Sequence, residues 1–468
     1  MELVWFRRDL RVDDNPALQA AIRSNQPVVA LFIATPQQWQ QHNMAPRQAD
    51  LIFRRLSELQ RDLSQLNITL LYKEVDIFDD AIDEVVGLCQ QYAVTTLHAN
   101  HEYELNEVNR DEQLQQRLGD QKTELQLYHD RCLTVPGSVL NKQGNYFKVF
   151  TPFKKALLAQ WQPRRIVKVE ACLANSDIEI KEPQWQSTSS PFGYPREDSQ
   201  AWPVGTQAIR QRLRDFCQDT VEHYQQERDF PAKPSTSQLS AYLAIGALSP
   251  RQCVARLYAN GDYLNEGGST WLSELIWRDF YQHLIFFEPK LCQHKDFVEW
   301  APHIRWDYSD DRLIQWQEGR TGYPIVDAAM RQLNQTGWMH NRLRMVVASF
   351  FTKDLHLDWR LGERYFMSKL IDGDFAANNG GWQWCASTGC DGQPYFRIFN
   401  PISQGERFDA QGEFVRHWIP ELKAVPNKFV HAPWLWSEYD SIDYPPPIVD
   451  HKVEREITLA LYKEAKDF

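Results

Sequence analysis

The apolar pattern of this chain changes period once, and that change limits the folds open to it. Residues 1–130 alternate short β-branched and apolar runs with stretches of helical spacing. Leu3–Phe6, Val28–Ile33, Ile68–Tyr72, Val94–Ala99 and Leu125–Tyr128 read as buried strands. Between them, 46–66 carries Leu51, Ile52, Leu56, Leu59, Leu63 and Leu66 at the three-and-four spacing of a one-sided helix, and 79–92 and 104–118 behave alike. Strand–helix alternation predicts an α/β domain with a parallel, doubly wound, Rossmann-like sheet. Such sheets often bind a dinucleotide on a glycine-rich first turn, yet the first glycine here is Gly87, so no pyrophosphate is expected on that turn.

From 131 to 205 the pattern breaks into mostly polar sequence with seven prolines between Pro136 and Pro203, which reads as an interdomain connector. Over 206–468 strand signals largely vanish and helical periodicity takes over, at 209–224, 237–245, 250–258, 269–287, 323–336, 341–353 and 362–370. The expectation is an all-α second domain. A length of 468 residues agrees with two cores, since single cores stop growing at roughly 250–300 residues.

The net charge of −11 gives no general attraction to a polyanion, so any nucleic-acid contact needs a local basic patch. Eight cysteines without a C-x-x-C pair argue against a disulfide frame or a metal site and fit a reducing cytoplasm. No apolar run approaches the roughly 20 residues of a membrane span, and the charged RRDLRVDD run at 7–14 leaves no room for a secretory leader.

Twelve of the 17 tryptophans lie at or after Trp271. A single one is best read as core packing. A dozen in one half, interleaved with polar groups, suggest a ligand. Trp271, Glu274 and Arg278 fall at i, i+3 and i+7 of one helix with Trp277 beside them, and Trp338, Asn341 and Met345 repeat the spacing on a second. Taken alone, Glu274 and Arg278 could be a surface ion pair of little consequence. Asp372, Asp374, Asn378 and Asn379 then precede a Gly-Gly pair that allows close backbone approach, a polar density that is costly to bury without a partner.

The run Trp5-Phe6-Arg7-Arg8-Asp9-Leu10-Arg11 with Asp14-Asn15, together with TGYPIVDAAMRQL (321–333), GWMHNRLRM (337–345), DGDFAANNGGWQW (372–384) and FRIFNPISQGERFD (396–409), closely resembles the photolyase and cryptochrome family. Within it, the chain is similar to the bacterial dimer-specific (class I) photolyases over essentially its whole length, least so at 165–205. The resemblance implies repair of cyclobutane pyrimidine dimers in DNA, in which an excited reduced flavin lends one electron to the dimer and regains it after the ring splits.

It further implies FAD in the helical domain, held at Tyr224, Thr236, Ser237, Gln238, Leu239, Ser240, Trp271, Arg278, Trp338, Arg344, Asp372, Gly373, Asp374 and Asn378. Thr236, Ser237 and Ser240 at a helix start would suit a diphosphate, although STS alone reads as an N-cap. Arg344 would pair with Asp372 beside the ring. Glu274, Asn341 and Met345 would touch the extruded dimer, with Trp277 and Trp384 as stacking walls and Tyr281 alongside. Glu274 would serve best if burial let it keep a proton. Arg228, Arg342, Arg397 and Gln404 would lie near DNA, and Trp382, Trp359 and Trp306 would relay electrons to an oxidised flavin. His42, Asn106, Glu107 and Cys292 match a methenyltetrahydrofolate antenna site. The chain departs from the pattern at Gln293, often a lysine suited to the folate's acidic tail, which lowers the expected affinity or leaves room for a different second chromophore. A monomer is expected.

Three other readings stay in view. A cryptochrome photoreceptor would use the same flavin, but the four dimer-contact types fit repair and the chain ends at Phe468 without a long signalling tail. A photolyase for (6-4) photoproducts typically carries histidine where this chain has Asn341. A dark flavin oxidoreductase would need a nicotinamide site, against which the missing glycine loop speaks.

Overall fold

The five apolar runs of the first 130 residues form one parallel sheet, β1 (Glu2–Phe6), β2 (Val28–Ala34), β3 (Leu70–Glu74), β4 (Thr96–Asn100) and β5 (Glu124–Tyr128), in the order β3-β2-β1-β4-β5. These coordinates come from a computed structural model that describes residues 1–119, 121–161, 166, 171–175, 180–188, 190, 192–259, 261 and 263–467; parts of the sequence read as connector lie outside them. β1 is the hinge of the order, with Leu3 opposite Val29 on one side and Leu97 on the other. Its alternate residues feed two cores: Val4 and Phe6 face one, Leu3 and Trp5 the other. Every residue of β1 and β2 is buried, as expected of a sheet covered by helices on both faces.

After residue 205 the described residues form helices and turns, with no further named strand. The core under β1 continues into this half through Leu239, Trp271, Leu275, Ile276 and Phe280, so the two halves share packing. A separate core, built on Trp316, Val347, Phe350, Phe351, Trp359 and Trp382, fills the far side. Polar ties reinforce the seam. Arg131 donates to Glu104 at 3.0 Å and to Asp374 at 2.7 Å, all three being buried, and Gln48 donates to the carbonyls of Ile371 and Gly373.

Two segments depart from the periodicity. The helix expected over 209–224 runs only from Thr206 to Asp215, then loosens into a wider turn at Phe216–Thr220 and a tight one at Val221–His223. Tertiary packing explains it: the Val221 carbonyl sits 1.9 Å from where a Cβ on Gly267 would be, so the backbones meet and regular winding yields. Conversely, the proline-bearing connector contains an 11-residue helix, Phe150–Gln160. No helix among the described residues is long and apolar enough to cross a membrane, and the eight cysteines are free thiols.

Candidate active site

The two helical-side cores leave a cavity of about 500 Å³ between them, within the range of ligand sites. Three helices supply most of its wall: Glu266–Phe287, Asn341–Lys353 and Phe375–Ala386. Each starts on a side-chain cap, with Asn265 accepting from Gly268, His340 from Arg342 and Asp374 from Ala377. The first presents Trp271, Glu274, Trp277, Arg278 and Tyr281 to the cavity, which is one stripe of a 3.6-residue period. The second presents Asn341 and Met345, and the third Asn378, Gly381, Trp382 and Trp384.

Close packing of the third helix depends on glycine at two points. A Cβ on Gly380 would lie 2.1 Å from the Tyr281 ring, and one on Gly362 would lie 2.1 Å from the Trp382 indole. The Gly-Gly pair lies inside a helix, and the close approach it allows at Gly380 is to the Tyr281 ring. At Gly381 nothing stands within 4 Å, and the missing side chain opens into the cavity.

The polar groups of 372–379 are largely satisfied by protein, contrary to the expectation that they demand a bound partner. Both Asp372 oxygens accept from Arg344, at 2.8 and 3.0 Å. Burial would raise Asp374, but the Arg131 and Arg278 guanidiniums outweigh it and hold the carboxyl down at about 2. Asn379 donates to Glu363 Oε1, and Asn378 Nδ2 donates to the Glu363 carbonyl at 2.9 Å. The amide of Asn378 is thus oriented with its nitrogen used and its oxygen left for whatever fills the cavity.

All the residues assigned to FAD line this cavity except Gly373, whose carbonyl is taken by Gln48. Thr236, Ser237 and Gln238 stand in a loop ahead of a five-residue helix, Ser240–Ala244, so only Ser240 belongs to a helix start, and Gln238 adopts a left-handed φ of 49°. Arg278 spends one nitrogen on the Arg131 carbonyl and remains on the wall.

Glu274 is only partly buried. Its side chain is 28% exposed and accepts from Arg228 Nη1 at 2.5 Å, so the site gives the carboxyl a cationic partner at the mouth in place of a dry pocket. Arg342 binds Asp229 at 2.8 Å on the same rim. Arg397 and Gln404 lie away from the cavity wall. Arg397 is exposed, with no acidic partner among the described residues, and its carbonyl accepts from the buried Lys353. Gln404 lies on the helix Pro401–Phe408. Of the three relay candidates only Trp382 reaches the cavity. Trp359 is fully buried and donates to Asp296 at 2.9 Å, while Trp306 is half-buried against Tyr462.

The antenna candidates do converge. His42 Nε2 is 2.9 Å from Asn106 Nδ2, and His42 Nδ1 is 3.7 Å from Glu107. Glu107 Oε2 is buried without a hydrogen-bond partner among the described residues, and burial together with Glu104 raises its carboxyl. The Leu105 amide faces the Cys292 thiol, which burial pushes up to about 12. Sequence reasoning missed Phe150: its ring stacks on Trp277, and only a helical reading of 150–160 could have suggested it.

Two family models match the chain, DNA photolyase over residues 2–174 and the FAD binding domain of DNA photolyase over 271–464. A deoxyribodipyrimidine photo-lyase of Vibrio cholerae is 57% identical over 469 residues, covering 100% of both chains. The crystal structure of a bacterial class III photolyase from Agrobacterium tumefaciens is 33% identical with a TM-score of 0.87, covering 100% of this chain and 98% of that one. A Synechocystis cryptochrome structure is 28% identical with a TM-score of 0.86, covering 98% and 99%.

Proposed function

This chain belongs to the DNA photolyase family, and from that premise we propose that its cavity receives a pyrimidine dimer flipped out of DNA and holds it against FAD for light-driven cleavage. The protein is a light-dependent DNA-repair lyase whose helical half carries the family's FAD-binding domain. One observation supports the residue-level reading above the others: a single cavity joins Asn378, Arg344 and Asp372 to Glu274, Trp277, Asn341, Met345 and Trp384.

The wall chemistry fits the flavin. The opening at Gly381 suits a flat ring, the free oxygen of Asn378 suits a ring N–H, and Thr236, Ser237, Ser240 and Arg278 suit phosphates. When bound, the flavin supplies light-driven one-electron chemistry. The chain's own residues do the rest. A dimer pairs and stacks poorly, so extruding it costs less than extruding intact bases, and the indoles of Trp277 and Trp384 give it new stacking surfaces. Arg228 can exchange Glu274 for a DNA phosphate, freeing the carboxyl to hydrogen-bond the polar edge of the dimer. Arg342 and Arg397, the latter exposed and without an acidic partner among the described residues, add phosphate contacts, with Gln404 and Tyr281 as further proposed DNA contacts, so a chain of net charge −11 can still hold DNA. Trp382 lines the cavity, Trp359 is fully buried and Trp306 is partly exposed, a gradient of exposure compatible with an electron relay.

For the second chromophore we propose methenyltetrahydrofolate at His42, Asn106, Glu107 and Cys292, since the orphaned Glu107 oxygen suits an amino donor of a pterin. Gln293 offers the folate tail no charge.

Purified protein is illuminated with blue light in the presence of DNA carrying thymine dimers, and monomers are counted against a dark control. Monomers appearing only in light are expected. A flavin-coloured protein that leaves the dimers intact refutes repair and favours a photoreceptor, and a colourless one refutes the cavity assignment. The absorption spectrum after denaturation reports the folate.

A further inference from the structure

We infer that Phe150, on the connector between the two halves, is a positioning residue for the repair pocket: it fixes the plane of Trp277, the indole on which the flipped dimer stacks. The inference deepens the proposed function and rests on its assignment of Trp277 as a stacking wall.

The two rings lie 3.7 Å apart at their centroids and only 6° from parallel. Phe150 therefore covers one face of the indole, and because Trp277 lines the cavity, another part of its surface is left to the ligand. Phe280 meets both rings edge-on, at 75° to Phe150 and 81° to Trp277, and Tyr281 adds a tilted contact at 5.7 Å. Trp277 is thus held by three rings. Trp384, the other wall residue, has no ring partner among the described residues.

A backing ring is useful only if it is itself fixed, and the connector is tied down on two sides. The Phe150 N–H donates to Asp391 Oδ2 at 3.0 Å, and the Cys390 thiol donates to the Lys148 carbonyl at 3.0 Å, both from the loop after the helix Phe375–Ala386. Lys154 donates to Ser273 Oγ at 2.5 Å, one turn before Trp277 on its own helix. The segment bridges the helix that carries Trp277 and the loop that follows the helix carrying Trp384.

An indole free to change rotamer loses that freedom when a base stacks on it, which weakens binding. An indole already clamped loses little. The gain is specific to a flat, unstacked ligand, because undamaged duplex is held through its phosphates and never reaches Trp277.

The test compares dissociation constants of the full-length, flavin-loaded protein for dimer-containing and undamaged duplex in wild type, F150A, F150L, F150Y, W277A and the F150A/W277A pair. F150A should raise the dimer-DNA constant about three- to tenfold, the scale of one aromatic pair, with flavin content and undamaged-DNA binding unchanged. F150L keeps most of the volume but removes the flat face and should show the same rise, which covers the case of a poorly folding alanine variant. F150Y should restore binding, and F150A should add nothing to W277A. The positioning role is overturned if F150A and F150L bind dimers like wild type, if both DNA constants rise together, or if the F150A effect persists undiminished in W277A. Wild-type protein without a preference for dimer DNA would instead refute the repair reading beneath it.

Discussion

Two adjacent glycines on the same helix should respond oppositely to the same added methyl group. At Gly380 a Cβ would sit 2.1 and 2.2 Å from the Cδ1 and Cε1 atoms of Tyr281. Subtracting that 2.1 Å from an ordinary contact of about 3.4 Å leaves roughly 1.3 Å by which a rigid ring, wedged between two helices, has to retreat. Overpacking of this kind costs up to about 3 kcal/mol, offset by about 1 kcal/mol from the better helix propensity of alanine, so G380A should lose roughly 2 kcal/mol. At Gly381 the Cβ meets no protein atom and points into the cavity. G381A should therefore be as stable as wild type or more so by up to about 1 kcal/mol, yet bind flavin about 10- to 100-fold more weakly, the usual effect of one misplaced methyl in a fitted pocket. Thermal melts of flavin-stripped samples read the first effect without the stabilisation that bound ligand lends, and the visible flavin absorbance per protein on reconstitution reads the second. G380A melting with the wild type, or G381A filling with flavin at wild-type affinity, would refute the packing argument for α-helix placement and the cavity assignment respectively.

E274A should lower repair per absorbed photon more than it lowers affinity for dimer DNA, as measured by monomer yield at saturating DNA; the reverse ranking makes Glu274 only a binding group. R397A should weaken binding of damaged and undamaged duplex alike and reduce the slope of log affinity against log salt by about 1, whereas an unchanged slope removes Arg397 from the phosphate contacts. Burial pushes Asp279 up to about 7, so the fold retains a proton there that the unfolded chain releases near its ordinary 3.8. That contribution to stability is present at low pH and is lost as pH rises through about 7. The melting temperature of D279N relative to wild type should accordingly climb between pH 5 and pH 8, and a flat difference contradicts the assignment.

The sheet was legible because β1 and β2 are buried on both faces and so read as unbroken apolar runs, while the 46–66 stripe announced its own helix. The loosened turn at Phe216–Thr220 was not, since nothing local reveals that the Val221 carbonyl must lie against Gly267. At the site, i, i+3 and i+7 spacing correctly grouped Trp271, Glu274 and Arg278, because one helix fixes those relations. Spacing said nothing of how helices face one another. Hence Arg228 beside Glu274, 46 residues apart, and Phe150 behind Trp277 required the fold. The resemblance supplied names for residues from separate elements, but it did not reveal that Arg228 pairs with Glu274 in a partly exposed ion pair.

The buried seam in which Arg131 bridges Glu104 and Asp374 has an optical consequence. Energy passing from one pigment to another without emission depends on the angle between their transition dipoles as well as on the gap between them. With the proposed antenna at His42 and Cys292 and flavin beside Asp374, that shared guanidinium would tie the two sites into one rigid seam, and a hinge in its place would blur the mutual orientation of their pigments.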